Sequence, residues 1–223
     1  LLPQNLFERL TRELHALEER LAVFYQATRE KHPPQAGYAW DTDEPIRVFF
    51  APCQPDSEGG IQPELCKLIR SATSSIRCAV YDLEDLEVAE ALIESYKRGV
   101  RVAIVADSDC AKREAVQNCR DAGIPIVFDN RQAFMHNKFL VVDDDIVWTG
   151  STNLTTNCFY KNNNNSLAVK SDFLARNYTN EFQEMFVDKK FGPRSPSNNP
   201  YPTVTVGEAT ISVYFAPEDK IGA

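Results

Sequence analysis

From Met135 to Asn153 the chain reads MHNKFLVVDDDIVWTGSTN, and its side chains have the types and spacing of a phosphate site. Phe139 to Val142 and Ile146 to Thr149 are short apolar runs. Asp143, Asp144 and Asp145 supply turn chemistry between them, so the pair is expected to form a β-hairpin. Residues two apart on a strand point the same way, which puts His136 and Lys138 on one face. Asp143 is an odd number of residues from both and should point to the other side. Gly150 and Ser151 turn the chain and bring Asn153 back to the same end. An imidazole, an ammonium and an amide would meet there with no acidic partner. Lys138 offers a point charge to a phosphoryl oxygen, and Asn153 offers N–H donors. His136 can attack phosphorus, since histidine forms covalent intermediates.

These groups need a frame. Arg47 to Phe50 reads as a first strand, followed by a helix with Leu65, Leu68, Ile69 and Ala72 on its apolar face. Ile76 to Tyr81 is expected as strand, Leu86 to Lys97 as helix and Val100 to Val105 as strand. A helix near Lys112 to Asp121 and a short strand at Pro125 to Phe128 complete this half. After the hairpin, Leu167 to Val169 is a strand, and Ser171 or Asp172 caps a helix carrying Phe173, Leu174, Tyr178, Phe182 and Phe186. Strands alternating with helices predict an α/β fold with a mixed, mostly parallel sheet flanked by helices. Sites in such sheets favour the carboxyl ends of strands, so Asp107 and Asp109 could approach a substrate there, although helix capping suits them better.

The chain has 223 residues and a net charge of −8, enough for one α/β domain with appendages. That acidity argues against a high-affinity nucleic-acid grip through many phosphate contacts, yet leaves room for a local cationic pocket. Six cysteines, at positions 53, 66, 78, 110, 119 and 158, include no C-x-x-C pair, and with three histidines no zinc site is expected. No apolar run is long enough to span a bilayer, and any targeting segment is expected to lie outside these residues. Localisation stays open.

The pattern H-x-K-x(4)-D at His136, Lys138 and Asp143, followed by G-S-x-N at Gly150 to Asn153, resembles the phospholipase D superfamily over about Ile46 to Phe186. The likeness is to its nuclease-like branch, which includes small bacterial endonucleases and cardiolipin hydrolase. The resemblance implies a metal-independent phosphodiesterase without cofactor, acting on nucleic acid first or phospholipid second, with a non-catalytic phosphate-binding lobe as the remaining alternative. In it His136 forms a phosphohistidine, while Lys138, Asn153 and Ser151 hold the phosphoryl oxygens. Asp143 becomes a structural member of the motif. Nuclease members often carry a Glu where Asn164 falls, and that Glu orients the nucleophilic ring. Asn164 can accept a proton-bearing nitrogen but adds no full charge. The family's scheme also needs a second histidine to protonate the leaving group, from a later motif or from a homodimer partner. The remaining histidines, His15 and His32, have no lysine two residues on, as the motif requires.

Outside this region, Leu6, Leu10, Leu14, Leu17, Leu21 and Phe24 mark an amphipathic helix from about Asn5 to Lys31. Residues 1–43 are therefore expected as a helical arm and 44–191 as the phospholipase D-like domain. Residues 192–208, rich in Pro, read as a linker. Ile211 to Pro217 (ISVYFAP) matches Ile46 to Pro52 (IRVFFAP) at five of seven positions, so 209–223 is expected to begin a second lobe.

Overall fold

The computed structural model describes residues 44–54 and 59–220. The expected amino-terminal helix, with His15 and His32, lies outside them. One seven-stranded sheet organises the chain. Its strands are β1 (Ile46–Ala51), β2 (Ser75–Val80), β3 (Arg101–Ala106), β4 (Ile126–Phe128), β5 (Lys138–Val142), β6 (Ile146–Gly150) and β7 (Asn164–Lys170). Their spatial order is β1-β7-β6-β5-β2-β3-β4. Helices α1 (Ile61–Ser71), α2 (Leu86–Lys97) and α3 (Glu114–Asp121) follow the first three strands. A short α4 (Thr156–Tyr160) joins β6 to β7, and α5 (Asp172–Phe186) follows β7.

The α/β class and the helical flanks are as expected, but the sheet is mostly antiparallel. Only β2 with β3 and β3 with β4 run parallel; every other neighbouring pair is antiparallel. Parallel pairing needs a crossover, and helices α2 and α3 supply one each. Beyond β4 the chain turns tightly from β5 into β6 and returns through α4 into β7, so successive strands alternate direction.

Alternation along β5 sorts its side chains between two cores. Leu140 and Val142 join Leu65, Leu68, Ile69, Leu92 and Val116 beneath α1 to α3. Phe139 and Val141 face Leu174, Phe182 and Met185 of α5. Helix starts follow their caps: the Asp85 carboxylate accepts from the Val88 N–H at 3.0 Å, and the Ser171 hydroxyl from the Leu174 N–H at 3.2 Å.

The stretch expected as a linker instead packs on the domain. Strands β8 (Thr203–Val206) and β9 (Ala209–Ser212) form a hairpin, and Val204, Val206, Val213 and Phe215 are buried in the α5-side core. The reason is apolar spacing that the prolines masked. Phe215 sits edge-on to Tyr178, with ring centroids 5.2 Å apart. The second copy of the repeated heptapeptide thus lies against α5 rather than leading away.

At the tip of the β5–β6 hairpin, Asp143 and Asp144 both have positive φ, 54° and 58°, and the Asp145 N–H donates to the Val142 carbonyl. Aspartate tolerates this left-handed turn, which matches the twist of the flanking strands. The Asp143 carboxylate accepts from the backbone N–H groups of Thr73, Ser74 and Ser75 and from the hydroxyls of Thr73 and Ser74. It holds the hairpin to the start of β2, at the far end of β5 from His136. Burial pushes this carboxyl up, but the three N–H groups outweigh that and hold it below the ordinary carboxylate range.

Asp143→Asn is therefore expected to lower the unfolding free energy at pH 7 by about 1–3 kcal/mol in urea titration. A folded-state value below the unfolded one stabilises above about pH 4 and ceases to do so as pH falls through the depressed value. The gap between wild type and variant should close in that acid window; a gap independent of pH would remove the charge from the explanation.

Candidate active site

The carboxyl ends of β2 and β3 meet the start of β5 and the end of β6 at one end of the sheet. Val80 pairs with Lys138, Phe139 with Thr149, Gly150 with Ser166, and Ala51 with Asn164. This register carries His136, Lys138, Ser151, Asn153 and Asn164 to the same end. Gly150 is required there: a Cβ at this position would come within 2.3 Å of the Asn165 carbonyl oxygen.

His136 and Lys138 come together as the spacing predicts, and both pack on Tyr81. The His136 and Tyr81 rings are 4.9 Å apart, and the Lys138 ammonium lies 5.5 Å from the Tyr81 centroid. Lys138 Nζ donates to the His136 carbonyl at 2.9 Å, and the Tyr81 N–H donates to the Asn137 carbonyl at 2.9 Å. Burial and then the Lys138 charge push the imidazole below its usual value, against an upward pull from Asp107. The ring is thus neutral at pH 7 and its lone pair is free. Burial also lowers the Lys138 ammonium to about 8.

The other expected residues divide. Asn153 sits in the loop after β6, fixed by the Leu154 N–H donating to the Asp82 carbonyl at 3.0 Å. Its side-chain oxygen is buried without a hydrogen-bond partner in the protein. Ser151 is exposed; its hydroxyl donates to Asn164 Oδ1 at 2.9 Å and accepts from the Asn165 N–H. Asn164 also donates to the Cys158 carbonyl at 3.1 Å, and the His136 ring makes no hydrogen bond among the described residues. Asp107 is the cap expected of it, accepting from the Asp109 N–H at 2.9 Å. Its other oxygen accepts from the Met135 N–H.

Beside His136 opens a cavity of about 410 Å³, with Phe134 and Tyr214 at its rim and Glu181 and Glu218 among its walls. Phe134 and Tyr214 are each 60% exposed. Burial, then Glu218 and Glu184, hold the Glu181 carboxyl well above its ordinary range, so the pair keeps a proton near neutral pH. Tyr81 and Glu181 were not singled out in the sequence. The signals were available: Tyr81 closes a strand at its carboxyl end, and Glu181 is an acid on the apolar face of α5.

Comparison with known proteins now bears on this arrangement. The family model described as "Cardiolipin synthase, PLD-like domain" matches residues 65–186, more than half of the chain. The chain belongs to the phospholipase D superfamily. Its place is in the branch that holds nucleases and cardiolipin hydrolases. The mitochondrial cardiolipin hydrolase of Xenopus laevis is 27% identical over 187 residues, covering 80% of this chain and 89% of the relative. The crystal structure of Nuc, a phospholipase D family member from Salmonella typhimurium, aligns with a TM-score of 0.56 and 29% identity. That alignment covers 62% of this chain and 91% of Nuc. NucT from Helicobacter pylori, 21% identical with a TM-score of 0.53, shares the fold over 63% of this chain and 95% of its own. The similar proteins include, by name, cardiolipin hydrolases and a phospholipase D, and this likeness supports an enzyme of the phosphodiesterase type. No helix among the described residues is long and apolar enough to cross a membrane.

Because the Lys138 ammonium loses its proton near pH 8, binding of tungstate, a phosphate mimic whose charge is constant in this range, should weaken about tenfold from pH 7 to pH 9. Calorimetry reads this directly. Lys138→Arg should flatten the decline and Lys138→Met should abolish binding, whereas a pH-independent affinity in the wild type would place the anion away from Lys138.

Proposed function

We propose that the protein is a metal-independent phosphodiesterase acting on nucleic acid through a phosphohistidine at His136. The observation that carries this reading is the neutral, exposed imidazole beside a desolvated ammonium, both held on Tyr81. In the first step an imidazole nitrogen bonds to phosphorus as the bond to the leaving oxygen breaks, and that oxygen takes a proton from a second histidine. In the second step water attacks the phosphorus, gives up its proton to that same histidine, and the phosphorus–nitrogen bond breaks. Lys138 and Asn153 stabilise charge on the phosphoryl oxygens, and Ser151 with Asn164 contacts substrate at the rim. The second histidine belongs to another H-x-K motif, in a second lobe of a longer chain or in a homodimer partner. General acid help of this kind is worth about a hundredfold to ten-thousandfold.

Single-stranded nucleic acid suits the aromatic surface beside the nucleophile, where Tyr81 and Phe134 meet edge to face with centroids 5.1 Å apart, since bases stack on such rings. A phospholipid headgroup is the second reading. It is favoured by the exposed rim of Phe134 and Tyr214, which suits an apolar substrate.

The full-length protein should be incubated with labelled single-stranded DNA, RNA and cardiolipin vesicles in EDTA. Cleavage of a nucleic acid is expected to persist in EDTA and to fall by on the order of 10⁴ or more in His136→Ala. Loss of cleavage in EDTA, or full activity in the variant, would contradict the mechanism; hydrolysis of cardiolipin alone would select the second reading.

A further inference from the structure

Backbone groups on both sides of His136 are held. On the carboxyl side, its own carbonyl accepts from Lys138, and the Asn137 carbonyl accepts from the Tyr81 N–H. On the amino side, the Met135 side chain is buried in the α5-side core, and the Met135 N–H donates to Asp107 Oδ2 at 2.7 Å. Asp107 follows the end of β3, is 1% exposed, and uses its other oxygen on the Asp109 N–H. A buried carboxylate at such short distance makes a charge-assisted hydrogen bond, which is stronger and more directional than a neutral one.

A nucleophilic imidazole also needs an anion. The ring becomes cationic when it bonds to phosphorus, and Asn164, at the same end of the sheet, carries no charge to offset it. That amide is occupied by Ser151 and by the Cys158 carbonyl. The carboxylate whose field does reach His136 is Asp107, which pulls against burial and against the Lys138 ammonium. It is almost wholly buried, so little water screens it.

We propose that Asp107 is the positioning residue for His136: a buried carboxylate that fixes the peptide before the nucleophile and supplies the anionic field that Asn164 cannot. The inference rests on His136 being the nucleophile. Asp107 touches no reacting atom. It acts through the Met135 N–H and through space, so its effects on placement and on charge are separable by substitution. Asparagine keeps the size and an acceptor oxygen but removes the charge.

The test compares wild type with Asp107→Asn and with Asp109→Asn as control, reading the His136 Cε1–H resonance by NMR against pH. In parallel, kcat/KM for bis(p-nitrophenyl) phosphate is followed, a diester whose leaving group needs no acid. Asp107→Asn is expected to move the His136 titration to lower pH, carrying the acid limb of kcat/KM with it. Its plateau kcat should fall about tenfold with KM little changed, while Asp109→Asn matches wild type. A folded Asp107→Asn protein that titrates and turns over like wild type would overturn the proposal. A separate failure is recognisable: full activity in His136→Ala would refute the nucleophile while the NMR titration still reports whether the Asp107 field reaches the ring. If Asp107→Asn does not fold, hydrogen exchange at the Met135 amide of the wild type decides instead. Protection well beyond that of the neighbouring loop amides is expected, and exchange at the open-loop rate would overturn the assignment.

Discussion

An imidazole and an ammonium packed against one phenol ring are both held partly out of water, and that desolvation, with the repulsion of the ring by the ammonium added to it, sets the electrostatics of the site. Burial acts in the same direction on both groups, because each is cationic when protonated. The imidazole yields first, since its ordinary value already lies near neutrality. The outcome is a neutral imidazole beside a positive charge, the combination that the proposed attack on a phosphodiester anion would use.

The fold serves this juxtaposition by rigidity at a distance. His136 lies just ahead of β5, where regular pairing with β2 and β6 begins. The opposite end of the same strand is fastened by Asp143, whose carboxylate gathers the N–H groups that open β2. Between the two ends, Phe139 and Leu140 are buried in opposite cores, so β5 can neither roll nor slip without exposing one of them. The Asp143 side of the H-x-K-x(4)-D pattern is therefore a matter of registration, and its His and Lys side a matter of reactivity.

Much of this was legible in the residues themselves. The hairpin, the shared face of His136 and Lys138, and the separation of Asp143 follow from a period of two and a run of turn-forming aspartates. Strand direction was not legible to the same degree. Alternating helices and strands suggested a largely parallel sheet, but β5 and β6 form the hairpin, the chain returns through α4 with β7 antiparallel to β6, and only long-range pairing reveals that β1 closes the sheet next to β7. The carboxyl-terminal segment misled for a different reason. Its prolines and asparagines have the composition of a linker, whereas Val204, Val206, Val213 and Phe215 supply an apolar face that only the exposed side of α5 could explain. Tyr81 and Glu181 belong to the same class of omission: each comes from a different element, and sequence spacing carries no information about neighbours brought together by the sheet.

The reaction path leaves a chemical trace that neither binding nor turnover supplies. A diester substrate carrying ³²P at the scissile phosphate, mixed with the protein and quenched within one turnover, should leave label bound to the protein. The account predicts a label stable to alkali and released by mild acid, as a phosphoramidate is, mapping to the peptide containing His136. Absence of bound label under conditions where substrate is cleaved, or a label on any other residue, would contradict it.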